Sequence, residues 1–206
     1  MLAACNGGDG DDDAAGSTTT ESSTTTTTRP TTTTSTTQPP ANDVAAVEPY
    51  IVDLLNQNDE VVATLRQEPS RANDGDDQNV ERYLSLYTSD SPQARAYLET
   101  LRGFAVTGTA ARPGPSGILE ATQLVEILPE PPDPDTVFFS FCGYTDFETV
   151  VVATGEVQAR QAIRTIGGGE ARRVEGVWKL HDFQVPDENL VSEYPPGTAN
   201  PCELEN

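Results

Sequence analysis

The 206-residue chain has one histidine, one tryptophan, one methionine and one lysine, Lys179, against eleven arginines. A lone histidine (His181) and three cysteines at distant positions give no zinc-ligand spacing, so no metal centre is expected. No run of about 18 apolar residues is present, and no helical membrane span is expected. Gly-x-Ser-x-Gly, phosphate-loop and dinucleotide fingerprints are absent, and no cofactor is expected. Positive charge is scarce as well: 12 bases face 33 acids, for a net charge of −21. Five of the acids and one of the bases precede residue 43, which leaves 28 acids against 11 bases in the remainder. Such a surface repels phosphate backbones and anionic headgroups, which argues against nucleic acid as a partner.

Large apolar side chains are nearly missing from residues 1–42. Met1-Leu2-Ala3-Ala4-Cys5 resembles the end of a lipoprotein signal peptide, in which cleavage before Cys5 leaves a thiol that carries a diacylglycerol. The basic segment and apolar run that accompany such a site are then expected upstream of Met1. Residues 6–42 are rich first in Asp and Gly, then in Thr, Ser and Pro. That composition cannot bury enough surface to offset its ordering entropy, so a disordered stalk is expected, with its hydroxyls open to glycosylation. The chain thus divides into a signal remnant at 1–5, a stalk at 6–42 and one folded domain at 43–206. The expected location is extracytoplasmic, on the outer face of the membrane, with the membrane contacted through a lipid on Cys5.

With Cys5 assigned to lipid, Cys142 and Cys202 form an even pair in an oxidising compartment. A disulfide between them is expected, tying the C-terminal tail to a core strand.

The first half of the domain has helical periodicity. Ile51, Leu54, Leu55, Val61, Val62 and Leu65 share a face, separated by polar residues that include Asp53, Gln57, Asp59 and Glu60. Asn42 or Asp43 can cap this helix, and Pro49 either kinks it or opens it. Asp77 caps a second helix bearing Val80, Tyr83, Leu84 and Tyr87. Ser91-Pro92 opens a third, bearing Ala94, Tyr97, Leu98 and Leu101, with Gly103 as its stop. Asn73 to Asp77 has some character of a calcium loop but lacks the full ligand spacing and the terminal glutamate.

The second half reads as strands at 119–128, 136–144, 147–154, 157–166 and 177–185, with Arg172 to Val174 pairing across Glu175-Gly176. Gly167-Gly168-Gly169 allows a bend or bulge. Helices followed by an antiparallel meander give an α+β domain, and a curved sheet wrapped on the first helix would enclose a conical pocket.

Taken together, the run 83–88 (YLSLYT), Ser91-Pro92, Ala111 to Pro115, Cys142 and Glu175-Gly176-Val177-Trp178-Lys179-Leu180 resembles the NTF2-like (SnoaL-like, cystatin-like α+β) superfamily. The likeness extends to secreted or lipid-anchored actinobacterial domains, over about residues 43–204. It implies three N-terminal helices packed on a curved antiparallel sheet. It also implies either a non-catalytic binding or envelope-associated module, or a cone-pocket isomerase or dehydratase, or a carrier of small hydrophobic ligands. The candidate pocket residues are Tyr83, Tyr87, Tyr97 and Trp178. For the enzyme, His181 would act with a carboxylate from another strand, Asp146 or Glu148. Strict alternation puts His181 on one face with Val177, Lys179, Phe183 and Val185, and Asp182 on the other. The leading expectation is a binding module without catalytic residues, whose protein or small-molecule partner is open.

Overall fold

The structure is a computed structural model that describes residues 37–128, 134–185 and 191–203. The expectations for Cys5 and for residues 1–36 of the stalk fall outside these residues.

Three helices come first. α1 spans Val44–Gln67, and the side chain of Asp43 caps it by accepting from the Ala46 N–H. Pro49 lies inside this helix without ending it. α2 spans Gln78–Leu86, with the Asp77 carboxylate accepting from the N–H groups of Asn79 and Val80. Asp77 also pairs with Arg71 at 2.7 Å, so the loop with calcium-like residues serves as a helix cap. α3 spans Pro92–Thr107 and runs four residues beyond Gly103, to a left-handed Gly108 at φ 67°. Its cap, Ser91, accepts from Ala94 N and donates to the carbonyl of His181 at 2.6 Å, which fixes the helix start against the sheet.

The sheet has six antiparallel strands: β1 Thr109–Pro113, β2 Ala121–Ile127, β3 Thr136–Val151, β4 Val157–Val174, β5 Val177–Gln184 and β6 Val191–Tyr194. β3 and β4 form its long centre. β1 and β2 share the outer edge of β3, and β5 and β6 share the outer edge of β4. The expected strands 136–144 and 147–154 are therefore one strand, and Gly167 to Gly169 pass straight through β4. Two aromatic rings explain this: Phe139 pairs with Gly169 and Phe141 with Gly167, and each ring lies on the backbone of its partner. A Cβ on Gly169 would sit 2.2 Å from the Phe139 ring. β4 and β5 join through Glu175 and Gly176, both at positive φ, in the expected hairpin.

The helices cover one face of the sheet, and their apolar stripes meet Val137, Phe139, Phe141, Ala171, Trp178 and Leu180 there. This is the α+β cone expected from the sequence. A smaller cluster packs around Cys142, Tyr144, Ala162 and Cys202. Cys142 and Cys202 are joined in the expected disulfide, with Cα atoms 5.7 Å apart. Residues 38–41, ahead of α1, also pack on the domain. Gln38 N donates to the Gly176 carbonyl, Ala41 is buried, and the Trp178 indole N–H donates to Pro39 at 3.0 Å.

Candidate functional site

The mouth of the cone contains a cavity of about 260 Å³ between the helices and the sheet. α1 contributes Asn58, Asp59 and Val62, α2 contributes Tyr83 and Tyr87, and α3 contributes Gln93 and Tyr97. Glu120 and Thr122 line the β2 side, and Phe141 and Phe183 line the β3 and β5 side.

Asp59 occupies the helix face that carries Leu55 and Val62, four residues after one and three before the other. Its carboxylate is held from both sides by one residue. Thr122 donates its N–H to Oδ2 at 2.5 Å and its hydroxyl to Oδ1 at 2.8 Å. Burial pushes the Asp59 carboxyl up to about 7, against the two Thr122 bonds that favour ionisation. The next carboxyl, Glu120, is also pushed up by burial, but Arg66 pairs with it and opposes that shift. The Arg66 guanidinium lies 4.4 Å over the Phe147 ring, so its charge is satisfied on two sides.

The tyrosines form a second wall. Ring centroids are 4.9 Å apart for Tyr83 and Tyr87, and 5.8 Å apart for Tyr83 and Tyr97. Tyr87 donates to Asn58 Oδ1 at 2.9 Å. Burial raises the pKa of all three phenols, which therefore stay neutral donors. The Tyr97 hydroxyl is buried and has no hydrogen-bond partner among the described residues. An orphan of this kind costs about 1–3 kcal/mol unless something else satisfies it.

Tyr83, Tyr87 and Tyr97 are thus brought together, whereas the other sequence candidates lie elsewhere. Trp178 is 1% exposed, buried beneath the segment at residues 38–41, and does not line the cavity. His181 is the extra residue of a bulge: Ala171 pairs with Leu180 and Glu170 with Asp182. The bulge breaks the alternation assumed from the sequence, so Trp178, Leu180 and Phe183 reach the core while His181 turns to the loop before α3. There its Nδ1 lies 2.7 Å from Thr88 Oγ1 and 3.8 Å from Asp90 Oδ1.

Asp146 and Glu148 do not approach His181. They share a strand face with Cys142 and Tyr144, two and four residues along. Asp146 is fully buried, and its Oδ2 accepts from Ser116 N at 2.7 Å and Gly197 N at 3.0 Å, so it ties a loop and the C-terminal tail to β3. Glu148 is clamped by Arg112 and Arg160, each at 2.6 Å, and these bonds hold its carboxyl below the usual range. The histidine–carboxylate pair considered for catalysis is therefore not assembled from these residues.

Among the described residues no cluster of His, Cys, Asp and Glu has metal-site geometry, and no helix is long and apolar enough to cross a membrane. A second hollow of about 220 Å³ lies between the ends of β2, β3 and β5, where Leu128, Phe138 and Gln184 line it.

No family model matches the chain, and no curated protein matches it. Several solved structures are similar to it. The intermembrane space region of the chloroplast protein ARC6 is 9% identical at a TM-score of 0.48, over 66% of this chain and 92% of that one. A conserved protein from Planctomyces limnophilus is 14% identical at 0.47, over 73% and 99%. A ketosteroid isomerase-like protein from Erwinia carotovora atroseptica is 13% identical at 0.37, over 70% and 97%. At these values the likeness is one of general architecture, and no residue's role is taken from it.

Proposed function

We propose that the domain binds a small ligand in the cone cavity without transforming it. We further propose that it does so outside the cytoplasm, carried on a lipid at Cys5 and spaced from the membrane by the threonine-rich segment. The observation that carries the binding reading is the cavity itself, about 260 Å³ between the helices and the sheet, walled by Tyr83, Tyr87, Tyr97, Phe141 and Phe183 with the Asp59 carboxylate among them. The aromatic walls would take the apolar part of a bound molecule, and the polar side chains of the lining would fix its orientation. The cavity is small. At about 30 Å³ per water it has the volume of roughly nine waters, so the ligand would have about ten non-hydrogen atoms. The enzyme alternative rested on His181 facing Asp146 or Glu148, and those side chains are engaged elsewhere. The location rests on the Leu-Ala-Ala-Cys motif and on the Cys142–Cys202 bond, which suits an oxidising compartment.

A thermal-shift screen of small aromatic and aliphatic compounds tests the binding reading. Hits are expected to raise the melting temperature of wild type and to lose that effect in Val62→Trp, which fills the cavity. Hits that stabilise both proteins equally would refute it. For the anchor, intact-mass analysis of membrane fractions is expected to find acylated Cys5, and a soluble, unmodified protein would refute that part.

A further inference from the structure

The charge balance of the cavity bears on what it takes. Its lining, among the described residues, contains two carboxylates and no lysine, arginine or histidine. Glu120 is matched by Arg66, which is itself committed to the Phe147 ring. Among the described residues Asp59 pairs with no cation, and the hydrogen bonds its carboxylate accepts come from Thr122. Each carboxylate oxygen accepts one bond from Thr122 and keeps capacity for another. Around this unmatched acid stand the rings of Tyr83, Tyr87, Tyr97, Phe141 and Phe183. Successive neighbours are 4.9 to 6.5 Å apart from Tyr97 through Tyr83 and Tyr87 to Phe183 and Phe141. Aromatic faces with one carboxylate are the surroundings that stabilise an organic ammonium, through the ring quadrupoles and through direct charge pairing. A net charge of −21 would raise the local concentration of cations and lower that of carboxylate or phosphate ligands.

From these observations we infer that the ligand is a small organic cation, an alkyl- or arylammonium, whose charge is met by Asp59 inside the tyrosine and phenylalanine wall. The inference rests on the binding reading above. The titratable groups that share the cavity with Asp59 are Glu120 on the β2 side, paired with Arg66 of α1, Tyr83 and Tyr87 from α2, and Tyr97 from α3. β3 and β5 present only Phe141 and Phe183. With the cavity empty the Asp59 carboxyl titrates near 7, and a cation beside it favours the ionised form. Binding therefore releases a proton below that pH. Affinity rises with pH through about 7 and levels off above it.

The test is a calorimetric titration of the full chain with two probes of the same shape, phenyltrimethylammonium and tert-butylbenzene, at pH 6 and pH 8. The cation is expected to bind at least tenfold tighter than its neutral isostere at pH 8, and about tenfold weaker at pH 6 than at pH 8. Asp59→Asn is expected to bring the two probes to the same affinity and to remove the pH slope. The wild-type slope needs no variant, so the inference stays exposed even if Asp59→Asn does not fold. Equal binding of the two probes, tighter binding of tert-butylbenzene, or cation binding without a pH slope would overturn the assignment of charge and leave the binding reading intact. If neither probe bound, the assignment of a cation would be overturned, while the binding reading has its own test in the thermal-shift screen.

Discussion

Thr122 donates its backbone N–H and its hydroxyl to Asp59, one to each carboxylate oxygen, and so fixes an acidic side chain of α1 against the start of β2. The acid still titrates high because desolvation outweighs the two bonds. Folded Asp59 therefore keeps its proton up to about pH 7, while the unfolded carboxyl loses it near its ordinary value of 3.8. Between those values the folded state binds more protons, so this group's contribution to stability falls as pH rises through the window. Asp59→Asn is expected to lie within about 1 kcal/mol of wild type at pH 4 and to exceed it by up to about 4 kcal/mol at pH 8. Urea melts at the two pH values check this, and an equal difference at both would contradict the raised pKa.

Asp146 has a structural part to play. Asp146→Ala would leave the N–H groups of Ser116 and Gly197 without their acceptor in a buried place. A loss of about 2–4 kcal/mol in chemical denaturation is expected. Hydrogen exchange should quicken at residues 114–118 and 194–198 before it does in α1.

Reduction of the Cys142–Cys202 bond frees a closure of 60 residues. Its chain-entropy value is about 4 kcal/mol, and the native contacts of the tail retain part of the order, so a loss of about 2–4 kcal/mol is expected in reducing buffer. Tyr144, whose hydroxyl donates to the Thr198 carbonyl at 2.8 Å, would report the release of the tail by a change in near-ultraviolet circular dichroism.

Two neighbouring glycines should behave differently. Gly169→Ala drives a methyl into the Phe139 ring and is expected to cost about 1–3 kcal/mol. Gly168→Ala meets nothing nearer than the Phe139 carbonyl at 3.7 Å, an ordinary contact, and is expected to stay within about 0.5 kcal/mol of wild type. Paired thermal melts measure the difference.

The helices, their caps at Asp43, Asp77 and Ser91, the 175–176 hairpin and the disulfide were legible in the sequence because local chemistry specifies them. What escaped were the two short edge strands β1 and β6, and the strand phase. Reading β3 as two strands interrupted near Thr145 discarded the alternation that puts Asp146 and Glu148 on the face of Cys142, away from Phe139 and Phe141. The bulge at His181 arises from pairing with Glu170 and Ala171, which are distant in sequence, and nothing local marks it. Asp59 could have been noticed. It falls on the apolar stripe of its helix, where a carboxylate is costly, yet it reads as one more polar residue among Asp53, Gln57 and Glu60. Tyr83, Tyr87 and Tyr97 could be placed together from the sequence because large amphipathic side chains on a buried helical face have few other places to go.

The most direct test of the account is to map where a ligand binds. Phenyltrimethylammonium titrated into ¹⁵N-labelled protein at pH 8 is expected to shift amide resonances at residues 58–62, 83–97, 120–122 and 183, around the cavity that holds Asp59. Saturable shifts confined to the hollow at Leu128, Phe138 and Gln184, with the cavity residues unmoved, would contradict it.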